Sequence, residues 1–91
     1  MRKELLKYRD MKLAEVPDLQ NRMPIVNEGI IVLSSGFIRN LTDGEFIVMC
    51  NCDLTFRASQ QTMKLIKKRM LELEIDHSTE LNKDEVLIKS N

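Results

Sequence analysis

Aromatic side chains are scarce in this chain: three Phe, one Tyr and no Trp. A surface that stacks the bases of a single strand needs exposed aromatics, so that mode of nucleic-acid binding is disfavoured. Glycine is equally rare. Gly29, Gly36 and Gly44 each read as part of a turn or a strand end, and no glycine-rich loop exists to cradle phosphate. Two cysteines are too few for a disulfide framework. The single histidine, His77, stands well beyond Cys50 and Cys52, so the three do not complete a structural zinc set of about four ligands. Neither a metal nor a cofactor is expected.

Long apolar runs are also missing. The longest, Phe46 to Cys50, falls far short of a membrane span. The start, MRKELLKYRDMKL, is basic but has no apolar region behind it, unlike a signal peptide. A cytoplasmic protein without a membrane partner is expected. Net charge is absent too: 14 Lys and Arg balance 14 Asp and Glu. The chain as a whole is not drawn to polyanions, and only a local patch can be.

Catalytic patterns fail as well. Ser34-Ser35-Gly36 lacks the flanking elbow and base of a serine nucleophile. Asp84-Glu85 lies in a solvated, charged stretch. The apolar residues around Cys50 argue against a reactive thiolate paired with His77. A non-enzyme is expected.

What is there is a folded composition. The chain has 91 residues, 43% hydrophobic and 31% charged, which fits a single domain (residues 1–91) with a modest core. A core that size gains from burial against a second copy.

The dominant stretch is Asp53 to Leu73. Ser59 is a good N-cap for a helix. At about 100° per residue, Met63, Ile66, Met70 and Leu73 fall on one face and form a core stripe. Lys64, Lys67 and Lys68 fall on the opposite face, with Arg57 just upstream to extend it. No acid occurs between Asp53 and Glu72. This order is backwards for a helix, whose N-terminal end favours acids and whose C-terminal end favours bases. The pairs Lys68–Glu72 and Arg69–Glu72 put the base first, the weaker arrangement. The four cations Arg57, Lys64, Lys67 and Lys68 are therefore the candidate partner- or phosphate-binding residues.

Around this helix the other elements are placed by pattern. Residues 2–15 have helix-forming composition, with Leu5, Leu6, Leu13 and Val16 on a ragged apolar side. Pro17 is expected to end that helix, and Pro17 to Pro24 to cross irregularly to the next layer. Tyr8 is expected to be a half-buried packing residue. Ile30 to Leu33 reads as a strand. Phe37 to Thr42 and Glu45 to Phe56 read as two more, joined by a hairpin turn at Asp43-Gly44. Phe46, Val48, Cys50, Cys52, Leu54 and Phe56 alternate on one face, facing Leu41, Arg39 and Phe37 across the turn. Ile38, Ile47 and Met49 fall on the other face, where a partner or second copy would cover them.

Beyond Leu73 the chain turns acidic: Met70 to Glu85 holds six acids and one base. Residues 76–91 are expected as a mobile or edge-strand acidic tail, with Val86 to Ile88 as the short strand. The tail is placed to fold back on the lysines or to reach a neighbouring subunit.

The expected fold is α+β: a three- to four-stranded antiparallel sheet, an N-terminal helix and a longer second helix. The order α-β-β-β-α resembles, in topology alone, that of double-stranded RNA-binding domains. Such domains place a basic pair at the start of the second helix. Gln60 and Gln61 stand at the matching positions here, and the bases come later.

The leading functional expectation is a small interaction or regulatory protein. It would bind a macromolecular partner, a protein first of all, through a sheet face and the basic helix face, and would form homo-oligomers. Compact chains of this kind are common among bacterial and phage accessory proteins. The alternatives are a nucleic-acid module that contacts phosphates through the basic helix, helped by Arg2, Lys3 and Lys7, and an interface pocket for a small anionic ligand.

Overall fold

A computed structural model describes residues 2–24, 26–27, 29–52, 54–75, 77–82 and 85–90. It is a mixed α+β arrangement whose sheet has the strand order β1-β2-β3-β5-β4. The strands are β1 (Val26–Asn27), β2 (Ile30–Leu33), β3 (Thr55–Ala58), β4 (His77–Asn82) and β5 (Glu85–Ser90). The sheet is mixed and not antiparallel. β2 and β3 run parallel, with Ile31 opposite Phe56 and Leu33 opposite Ala58. The remaining pairings are antiparallel. β5 lies between β3 and β4, inside the sheet and not at its edge.

A parallel pair needs a crossover of a dozen residues or more. Here the crossover contains two short helices, α2 (Ser35–Asn40) and α3 (Asp43–Cys50). This corrects the expected hairpin. Thr42-Asp43-Gly44-Glu45 is a helix start: the Thr42 hydroxyl accepts from the Glu45 N–H at 3.1 Å, and the Glu45 carboxylate accepts from the Thr42 N–H at 2.9 Å. That reciprocal capping box satisfies two donors that the first helical turn leaves open. Ser34 caps α2 in the same way, accepting from the Phe37 N–H at 3.1 Å. The runs read as second and third strands are thus helical up to Cys50, and the order of elements differs from that of double-stranded RNA-binding domains.

α3 is buried on almost every side. Phe46, Val48, Met49 and Cys50 have no exposed surface. Ile38, Ile47 and Met49, expected on an open sheet face, lie in the core instead. They leave nothing there for a partner to cover.

The N-terminal segment is not one α-helix. It forms 3₁₀-helices over Lys3–Asp10 and Leu13–Glu15. In the first, residues three apart share a face. Leu5 and Tyr8 lie on that face, with Met11 one turn further on, and all three pack toward the core. The Asn51 side chain, at the end of α3, donates to the Tyr8 carbonyl at 2.8 Å and the Met11 carbonyl at 2.9 Å. Pro17 does not precede a crossing. It opens α1 (Pro17–Arg22), where its missing N–H costs nothing. Leu19 of α1 is fully buried, and Arg22 pairs with Glu45 of α3.

One face of the sheet meets the helices. Ile31, Leu33, Phe56, Ala58, Val86 and Ile88 are buried there. Alternation turns Val32 and Arg57, opposite each other in register, to the other face. Val32 is 54% exposed, and Ile30, Thr55 and Leu87 are half-buried.

Candidate functional site

The long helix α4 (Gln60–Glu72) starts where Ser59 predicts. The Ser59 hydroxyl accepts from the Thr62 N–H at 3.2 Å. Thr62 is buried yet satisfied, sharing a 2.7 Å hydrogen bond with Ser35 at the start of α2. Met63, Ile66, Met70 and Leu73 are all buried, and Ile66 completely so. Burying such side chains stabilises by roughly 1.5–3 kcal/mol each, whereas a misplaced charge near a helix end costs about 0.3–1 kcal/mol. The apolar stripe therefore outweighs the backwards charge order.

Lys64, Lys67 and Lys68 are exposed, on the side of α4 away from the sheet. Among the described residues, no carboxylate lies within ion-pair distance of any of the three. Glu72 stands one turn from Lys68 and is not paired with it. The expected fold-back of the acidic tail onto the lysines depends on Asp76, Glu80, Asp84 and Glu85, whose carboxylates lie outside what the structure describes. Residues 76, 83, 84 and 91 of that tail lie outside the described ones.

A fourth residue completes this face, and the sequence reading passed over it. Leu71 is 81% exposed, well above Val32 at 54% and Leu6 at 41%. It follows Lys64, Lys67 and Lys68 by seven, four and three residues. At about 100° per residue the four share an arc of roughly 100°, with Leu71 inside it. The signal was available, because Leu71 falls off the core stripe when the helix is stepped from Met63.

Arg57 does not join them. It lies on β3 between buried Phe56 and Ala58, so it points to the sheet face opposite the helix layer. The four predicted cations are thus split between two sides of the molecule. Arg2, a predicted helper, is engaged elsewhere and pairs with Asp43 and Glu4.

Arg69 is the basic residue of α4 that turns inward. Its guanidinium donates to the Ile38 carbonyl at 2.6 Å, the Leu41 carbonyl at 2.5 Å and the Asp43 carboxylate at 3.1 Å. It also lies 5.0 Å from the centre of the Phe46 ring. Ile38 and Leu41 close α2, and Asp43 opens α3. A cation therefore sits at a helix C-terminal end and an anion at a helix N-terminal end, both favourable to the helix dipoles. The hydrogen bond from Arg69 holds the Asp43 carboxyl below its ordinary range, and Arg2 adds to the effect.

Beside this junction lies a pocket of about 260 Å³, lined by Arg2, Leu5, Asp43, Arg69, Glu72, Leu73 and Glu74. Neither Arg57 nor any of Lys64, Lys67 and Lys68 lines it. Its two arginines are committed to Asp43 and it carries two further carboxylates, so an anionic ligand has little to gain there.

The two cysteines lie in different surroundings. Cys50 ends α3, and is not on a strand facing Cys52. Burial pushes its thiol up to about 12, which leaves almost no thiolate at neutral pH. Cys52 is half-buried and its thiol contacts the Val48 carbonyl at 3.4 Å. No group of three or more His, Cys, Asp or Glu among the described residues is placed to hold a metal. No helix among them is long and apolar enough to cross a membrane.

Comparison with known proteins finds no matching family model, curated relative or solved structure. The functional reading therefore rests on the surface of α4 and its chemistry.

Proposed function

We propose that the chain is a small, non-enzymatic interaction protein that binds a macromolecular partner through the exposed face of α4. The observation that carries this reading is the cluster itself. Lys64, Lys67 and Lys68 stand together, without ion-pair partners among the described residues, beside an exposed leucine. Like charges one helical turn apart destabilise a helix by about 0.2–0.5 kcal/mol per pair. Among the described residues no ion pair offsets that cost, and an acidic partner would.

The outer sheet face, with Val32, Ile30 and Leu87, points away from α4. A partner seated on α4 leaves it open. The two faces expected to act together therefore serve as separate surfaces, and α4 is the one with a defined chemical preference.

The test is a calorimetric titration of the whole chain at low salt. Poly-L-glutamate and a DNA duplex serve as probes, with K64E/K67E/K68E as the comparison. The reading expects the wild-type chain to bind a polyanion and the triple variant to lose that binding. If neither probe binds the wild-type chain, or the variant binds equally well, α4 is not the binding surface.

A further inference from the structure

Resting on that reading, we infer that the partner presents an acidic helix with an apolar seat for Leu71. Gln60, Lys64, Lys67 and Leu71, at intervals of four, three and four, form one exposed seam along α4 on which a second helix can lie. From Gln60 to Leu71 this seam runs about 16 Å, enough for roughly three turns of a second helix.

Leu71 is 81% exposed within an arc that it shares with Gln60 and the three lysines. A phosphate backbone laid on this face would cover Leu71 without giving it apolar contact. A helix that alternates acids with a small apolar notch satisfies both kinds of residue. The lysine stems flank Leu71 with methylene groups and widen the apolar strip, while their ammonium groups reach the acids.

The planar fork of arginine suits phosphate, and the arginine of this helix, Arg69, is turned inward onto Ile38, Leu41 and Asp43. The cations of the exposed face are all lysines, which act as point charges and serve carboxylates as well as phosphates. The chain carries no net charge to reinforce contact with a nucleic acid.

Two synthetic helical peptides of equal length and equal acid content test this. One carries a pair of leucines one turn apart, and the other has alanines there. Fluorescence anisotropy with the whole chain should show the leucine peptide binding about tenfold tighter, the expected value of seating one leucine. Leu71→Ala should remove that preference and leave binding of the alanine peptide unchanged. Equal affinity for the two peptides would overturn the inference, as would a preference that survives Leu71→Ala. Tighter binding of a DNA duplex of equal charge would also overturn it. So would a Leu71-dependent dimer in sedimentation, because a second copy would then occupy the seam. Equal peptide binding that is still lost in K64E/K67E/K68E rejects only the apolar seat. Absence of all anion binding rejects the parent reading too.

Discussion

Arg69 reaches Asp43 across the gap between two helix ends, 3.1 Å from nitrogen to oxygen. The same guanidinium holds the last carbonyls of α2. One side chain from α4 thus closes α2, opens α3 and leaves its neighbours Lys64, Lys67 and Lys68 to face solvent. Replacing Arg69 by methionine keeps much of the bulk but strands the Leu41 carbonyl and takes one partner each from the Ile38 carbonyl, left with the Leu41 N–H, and the Asp43 carboxylate, left with Arg2. The expected loss is about 2–4 kcal/mol in urea unfolding. Arg69→Lys should recover less than half of it, because an ammonium group cannot span three acceptors in a plane.

Acid should loosen the same junction. The Asp43 carboxyl is held below its ordinary value of 3.8, first by the hydrogen bond from Arg69. A group whose folded pKa is depressed stabilises the fold above its unfolded pKa, and that contribution disappears as pH falls through the folded pKa. The stabilisation should be complete above about pH 5 and decline below pH 3.8. Asp43 is 37% exposed, so solvent screens the effect and it is modest. Asp43→Asn should flatten this part of the stability-against-pH curve. An unchanged acid limb would mean that Asp43 carries no such linkage.

Tyr8 lies directly on Gly44. A Cβ built at Gly44 would come within 2.5–2.7 Å of the Tyr8 ring. Gly44 is needed for this close approach and not for a turn, since it lies inside α3. Gly44→Ala should cost about 1–3 kcal/mol despite alanine's better helix propensity. In a double-mutant cycle, Tyr8→Ala should make the alanine at 44 nearly neutral. Additive losses would show that the ring does not hold that position.

The two thiols should react at different rates. Cys50 is fully buried, with its thiol pushed up to about 12, and Cys52 is partly open. A thiol reagent at pH 8 should label Cys52 first and Cys50 only as fast as the chain opens. Equal labelling in the folded state would contradict the burial of α3.

The parts legible in the sequence are those whose side chains face two different environments. α4 is half core and half solvent, so Met63, Ile66, Met70 and Leu73 stand out against the lysines. Ile30 to Leu33 is bounded by Gly29 and Ser34 and reads as a strand for the same reason. α3 has no such contrast. Phe46 to Cys50 is buried all round, and a short apolar run suits a strand as well as a helix. The capping box at Thr42 and Glu45 was the signal that separated the two, and Asp43-Gly44 masked it. The parallel pairing of β2 with β3 leaves no local trace, because its partners are separated by both crossover helices. Arg69 escaped for another reason: its Cα lies on the flank of α4, and only the length of its side chain carries the charge inward. Of the candidate site, the exposure of the three lysines was legible and Leu71 was readable but overlooked, while Arg57 does not extend their face because strand alternation turns it to the other side of the sheet.

The most direct test maps where a partner touches. In a ¹H–¹⁵N correlation spectrum of the whole chain, the leucine-bearing acidic peptide should shift the backbone amides of α4, Gln60–Glu72, most strongly near Lys64, Lys67 and Leu71. The amides of β2 and β3 should stay in place. Shifts centred on Val32 and Arg57, with α4 unmoved, would contradict the account.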